Sequence, residues 1–177
     1  MDALTEAHLV SRLVDQIEHS SMLQLSAKWV AYFTLQDRRL ESPIEQLFFA
    51  TWEIQDRLNG MLDRNPSGFC LHPQQPVTVG KRTYRLDFAV GLAAGDWPCG
   101  DRVAVELDGH EFHERTKEQV QRRNQRDRDL QGVGWKVFHF SGSEVVRHPV
   151  ACVDEVWNYC WRAMCEFHRA TTAGEGE

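Results

Sequence analysis

The chain has no long apolar run, no paired-cysteine motif and no surplus of positive charge, and each absence removes a class of protein. No stretch approaches the roughly 18 apolar residues that cross a bilayer. The N-terminus, Met1-Asp2-Ala3-Leu4-Thr5-Glu6, lacks the basic and apolar regions of a signal peptide. A cytoplasmic location and no membrane partner are therefore expected. Five cysteines (Cys70, Cys99, Cys152, Cys160, Cys165) make an odd set without any C-x-x-C pair. Reduced thiols suit that pattern better than a disulfide framework. A net charge of −6 excludes coating of nucleic acid by bulk electrostatics. It leaves room for local phosphate contact, which depends on nearby charge rather than the total.

What the 177 residues do contain is enough apolar side chain for one sizeable core, hence one domain by size. From about Thr5 to Leu35 apolar residues recur at helical spacing. Leu9, Leu13, Val14 and Ile17 form one stripe and Leu23, Trp29, Val30 and Phe33 another, with a break at His19-Ser20-Ser21. Residues 1–40 are thus expected as an N-terminal helical segment. Ser42-Pro43-Ile44-Glu45 predicts a helix start, with Ser42 as N-cap, Pro43 in the first turn and Glu45 closing a capping box. That helix turns Ile44, Leu47, Phe48 and Trp52 inward and fades near Asn59-Gly60.

A loop from Asn65 to Pro73 follows. Val77–Val79 and Tyr84–Val90 then predict a hairpin turning at Gly80-Lys81. The loop from Gly91 to Asp101 leads into a strand, Val103–Leu107. Thr116–Leu130 predicts a charge-dense helix with Val120 and Leu130 inward, ended by Gly132 and Gly134. Trp135–Phe140 is a short strand reached by a crossover, so it should run parallel to Val103–Leu107. Pro149 opens a last amphipathic helix with Val153, Val156, Trp157, Cys160, Trp161, Met164 and Phe167 on one side. Residues 41–170 are expected as an α/β domain with a mixed sheet, and residues 171–177 as a flexible tail.

Lone carboxylates interrupt two of these strands. Asp87 stands among Leu86, Phe88 and Val90, and Glu106 and Asp108 bracket Leu107 after Val103 and Val105. Acidic residues suit strand interiors poorly, and burying one unpaired is expensive. A hard divalent cation held in common gives them a shared reason. Glu106 and Asp108, two residues apart, project from one face of their strand. Hydrolysis of a phosphodiester fits this set, because Mg²⁺ (with Mn²⁺ as substitute) supplies charge neutralisation and a nucleophilic water. His113 lies just beyond Gly109 and is suited to proton transfer near neutral pH. The following segment carries Arg115, Lys117, Arg122, Arg123, Arg126 and Arg128 against fewer acids, a local surplus able to follow a nucleic-acid backbone.

The order of elements and these motifs resemble the PD-(D/E)XK nuclease superfamily, most closely the branch related to very-short-patch repair endonucleases. The residues that carry the likeness are Ser42-Pro-Ile-Glu45, Tyr84-x-x-Asp87-Phe88, Glu106-x-Asp108-Gly109-His110-x-Phe112-His113, the helix through Arg123 and Asp127, and Val137-Phe-His-Phe140 followed by Glu144. The resemblance implies a restriction-endonuclease-like core, a mixed four-stranded sheet flanked by helices, with the segment before Glu41 as an addition. It implies Asp87 and Glu106 as the metal-holding acids. Asp108 stands where the superfamily carries a lysine, which leaves His113 and Lys117 as candidates for proton handling or charge stabilisation. A glutamate of the first core helix often joins the metal shell, which makes Glu45 either a ligand or only a cap.

Plainer readings compete at each position. Asp87 can pair with Arg85 or Arg82, Asp108-Gly109 can be a turn dipeptide, and the basic helix can be a solvated face laced by pairs such as Arg123–Asp127. His110 and His113 can form half of a zinc site with Cys70, His72 or Cys99, although thiol ligands usually come in pairs. His139 reads as structural. The sequence is best explained by a Mg²⁺-dependent nuclease acting on DNA, with RNA as the other polymer open to it and a homodimer as one open state. A non-catalytic nucleic-acid-binding module of the same fold is the alternative. A hydrolase of small phosphorylated substrates is disfavoured by the lack of a glycine-rich phosphate loop.

Overall fold

The computed structural model describes residues 30, 34, 36–61, 68–92, 102–109 and 116–174. Its elements are α1 (Pro43–Met61), β1 (Phe69–Val79), β2 (Arg82–Leu92), β3 (Arg102–Asp108), α2 (Lys117–Gln131), β4 (Trp135–Ser141), α3 (Gly142–Arg147) and α4 (Pro149–Gly174). Four strands form one mixed sheet in the order β1-β2-β3-β4. β1 and β2 pair antiparallel around the Gly80-Lys81 turn, β2 and β3 pair antiparallel, and β3 and β4 pair parallel. The crossover expected from α2 is thus present, and the layers form an α/β domain. Among the described residues no helix is long and apolar enough to cross a membrane.

Alternation along the strands sends apolar residues to both faces. On one face Leu47, Phe48 and Trp52 of α1 and Val153, Val156 and Cys160 of α4 pack on Phe88, Val103, Val105 and Phe140. On the other, Leu130 of α2 packs with Leu86, Ala89, Ala104 and Trp135. Val30 and Thr34 are helical and buried. The remainder of the expected two-helix N-terminal segment lies outside the described residues.

Several expectations need correction. β1 begins at Phe69, inside the stretch expected as a loop. Pro73 closed that expected loop, yet β1 is an edge strand, where proline is tolerated. Val120 is exposed, so Leu130 is the one buried residue of α2. The short α3 was not anticipated, although Ser141 and Glu144 form a capping box at its start. α4 continues through Gly174, so residues 171–174 extend a helix where a tail was expected.

Along the hairpin the buried face changes side. Phe69 and Leu71 belong to the α1/α4 core, whereas Val77 and Val79, at the same parity, pack on the α2 side. The same switch separates Phe88 from Leu86 on β2. Between them stand Gln74, with φ of 56°, and Asp87. A left-handed non-glycine residue costs of order 1–3 kcal/mol. Here the strained residue stands where the buried face of the hairpin changes side.

Candidate active site

The β2–β3 ladder runs from Val90↔Val103 to Phe88↔Val105. One step further, the same register would set Asp87 opposite Glu106. There the Asp87 carboxylate instead accepts the Leu107 backbone N–H at 2.7 Å. The strands therefore splay at the acidic residues, and a side chain replaces a ladder carbonyl. Beyond the splay, the Arg85 carbonyl accepts from Arg126 Nη2. Burial pushes the Asp87 carboxyl above its ordinary range, with the Leu107 N–H pulling against it and Glu45 and Asp108 adding repulsion.

Glu106 and Asp108 face α2, as their spacing required, and both line a cleft of about 650 Å³ between that helix and the sheet. Glu106 is 7% exposed. Burial is the main force on its carboxyl; despite attraction by Arg126, and with repulsion from Asp87, Asp108 and Asp127, it is pushed up to about 8. Arg126 donates to Glu106 Oε1 at 2.6 Å, and Arg123 lies 2.9 Å from Asp108 Oδ2. Both arginines are mostly buried against the cleft. Arg122 lines its rim. Lys117 is exposed in the first turn of α2, behind the Thr116 cap and capping box. His113 and Arg115 lie outside the described residues, as do His110 and Cys99.

Glu45 sits at the start of α1 with both oxygens engaged. Ser42 Oγ donates to Oε1 at 2.8 Å; the Glu41 N–H and Gln74 Nε2 each donate to Oε2 at 2.9 Å. It therefore caps its helix and also ties α1 to the strained residue of β1. The plainer pairings proposed for the other acids are not formed. Arg85 pairs with Glu41 and Arg82 with Asp129, so neither neutralises Asp87. Asp127 pairs with His139 at 3.1 Å and Arg123 lies on Asp108, so both reach beyond their own helix to the sheet.

Three further residues meet these side chains: Tyr84 and His139, which stood in the quoted motifs without a site role, and Gln74, which did not. His139 lies beside Glu106 in the β3–β4 register and lines the cleft. Burial lowers its pKa, with Asp127 opposing, and its Nδ1 is buried without a partner. Tyr84 donates to Asp129 and lies under the Arg126 guanidinium, 5.9 Å from ring centre to Cζ. Gln74 holds Glu45. The parity of β4 offered a signal for His139, which shares a face with Val137. No local signal identifies Gln74, whose role arises from pairing across the hairpin.

The donor set fits a hard divalent cation in its chemistry: carboxylate oxygens on adjoining strands, mutually repelling, one pushed strongly towards its neutral form. Its arrangement here is one of ion pairs. Among the described residues no three His, Cys, Asp or Glu side chains gather closely enough to hold a metal ion. That also leaves the zinc alternative without support from them. Cys70 Sγ and His72 Nε2 approach to 3.3 Å, but near the opposite end of the hairpin from its turn. Burial, then Glu53 and Asp56, raises the Cys70 thiol rather than activating it.

The model of the restriction-endonuclease-like family REase_MTES_1575 matches residues 66–159, which span the hairpin, β3, α2, β4 and the first part of α4. Nothing among the curated proteins or the solved structures matches the chain.

Proposed function

Because the chain belongs to the restriction-endonuclease-like family REase_MTES_1575, within the PD-(D/E)XK superfamily, we propose that it is a Mg²⁺-dependent nuclease acting on DNA. The observation that carries this reading is the end of the β2–β3 ladder at Asp87 and Glu106, which leaves carboxylates on adjoining strands, with Glu106 under an arginine-bearing helix. Asp87, Glu106 and Asp108 would hold the cation, with Glu45 near enough to Asp87 to add to the field. Bound Mg²⁺ supplies Lewis acidity, neutralising phosphate charge and making water nucleophilic. The protein's own contribution is positional. The Leu107 N–H fixes the Asp87 carboxylate, β3 presents its two acids on one face, and Arg122, Arg123 and Arg126 offer donors to phosphate oxygens from the facing helix. The kinship to very-short-patch repair endonucleases is part of the proposal, supported by the Glu106-x-Asp108-Gly109 motif.

One observation favours the alternative of a binding module without turnover: arginines already neutralise Glu106 and Asp108. Incubating the purified protein with supercoiled plasmid, linear duplex, single strands and RNA separates the two. Cleavage with Mg²⁺ or Mn²⁺ that stops in EDTA, and is lost in Asp87→Asn, supports the nuclease. Binding without cleavage under every metal condition supports the module.

A further inference from the structure

Arg126 makes an ion pair of a kind that a permanent structural contact does not require. Its Nη2 alone serves two acceptors, Glu106 Oε1 and the Arg85 carbonyl. Its Nε–H is buried and has no hydrogen-bond partner. An arginine placed for rigidity commonly grips a carboxylate with two parallel N–H groups. Here one prong of the fork is unused. One helical turn earlier, Arg123 reaches Asp108, so two guanidiniums three residues apart on α2 meet two acids two residues apart on β3.

Charge counting adds a second line of argument. Three carboxylates, Asp87, Glu106 and Asp108, stand near two guanidiniums, Arg123 and Arg126. A divalent cation would add positive charge to this set, and a phosphodiester would offset it. Cation and phosphate should therefore favour one another's binding, provided an arginine can leave its acid and turn to the phosphate. The unused Nε–H gives Arg126 the donor for that exchange.

We propose that Arg126 is a tethered counter-cation: it occupies Glu106 until a divalent cation takes its place, then turns its guanidinium to the nucleic-acid phosphate. The proposal rests on the nuclease reading for its ligands and names the residue that couples them. It also assigns a cation to the position of charge stabiliser that His113 and Lys117 were expected to fill.

The test is Mn²⁺ binding by calorimetry to wild type, Arg126→Gln and Arg126→Lys, alone and with a phosphorothioate-linked DNA duplex. Without DNA, Arg126→Gln should bind Mn²⁺ at least about fivefold tighter than wild type, since its competitor is gone. With DNA, the gain in duplex affinity that Mn²⁺ produces should shrink by a similar factor. Arg126→Lys, which keeps the charge but not the fork, should fall between the two. Equal or weaker Mn²⁺ binding in a folded Arg126→Gln overturns the proposal and makes Arg126 a structural pin. If that variant does not fold, Arg126→Lys decides: unchanged Mn²⁺ affinity and unchanged coupling to DNA overturn it. Equal binding in all three forms leaves the nuclease reading standing without the exchange. Binding in Arg126→Gln but not in wild type overturns the exchange, since no cation then displaces Arg126, and removes the metal-dependent nuclease as well. Absence of binding in every form removes both.

Discussion

The two faces of the sheet are built on opposite principles. Under α1 and α4 the packing is continuous and apolar, with Phe48 stacked 5.7 Å from Phe88 and tilted 5.9 Å from Phe140, all three buried. Under α2 the buried apolar contacts gather at the C-terminal end of the helix, around Leu130 and Trp135. The remainder of that interface is polar and charged: Arg126 on Glu106, Arg123 on Asp108, His139 on Asp127, Tyr84 on Asp129. Apolar burial stabilises without regard to pH, whereas buried ion pairs lose much of their attraction to desolvation. Such a layer contributes less to stability. Apolar packing dominates one face and charge the other.

The largest effect expected from this division belongs to the apolar face. Phe48→Ala should lower unfolding free energy by about 3–5 kcal/mol. Denaturant titrations should give nearly the same loss at low and high salt; a strongly salt-dependent loss would break the comparison.

An effect of opposite sign, smaller once rearrangement around the ionised group is allowed for, belongs to Glu106. Its folded pKa, about 8, lies above the ordinary 4.5 for a glutamate. The folded state therefore binds more protons than the unfolded one across that window, and stability falls as pH rises through it. The full shift corresponds to about 4–5 kcal/mol at about 1.4 kcal/mol per pKa unit, an upper bound because Arg126 and water rearrange around the ionised group. Glu106→Gln, measured without metal, should melt with wild type near pH 4 and above it at pH 9. A variant less stable than wild type at pH 9 would show that the Arg126 pair outweighs burial.

The smallest effect tests how α2 is held. Its N-terminal half lacks buried apolar residues and relies on the Thr116 capping box. Thr116→Ala should cost about 1 kcal/mol. Amide exchange should quicken around Arg122 and Arg123 but not around Leu130. Uniform quickening along the helix would mean that α2 moves as one body and that its two ends are not held differently.

Much of the fold was legible because it depends on local chemistry. The Ser42 cap, the Gly80-Lys81 turn, the Gly132 stop and the parallel return of β4 all follow from neighbours in sequence. The first part of β1 was hidden because prolines forbid a central strand but not an edge, and position within a sheet is not a local property. The inward face of α2 was misjudged at Val120 because a helix so rich in charge has no apolar stripe to read. At the site, the grouping of Glu106 with Asp108 was legible from strand parity, and Asp87 from its apolar neighbours. His139 and Gln74 were not, since each acquires its neighbourhood from a partner strand.

The sequence by itself determined which residues carry charge, which strands bear the acids and in what order the elements follow, because periodicity, capping and turn chemistry act over a few residues. The tertiary structure alone decided which cation meets which anion. Arg85 and Arg82 lie nearest Asp87 in sequence yet pair with Glu41 and Asp129, while Arg126 crosses to Glu106. Those choices depend on the splay of β2 from β3 and on the docking of α2 over it, since the energy of a charge pair varies with distance and burial rather than with separation along the chain.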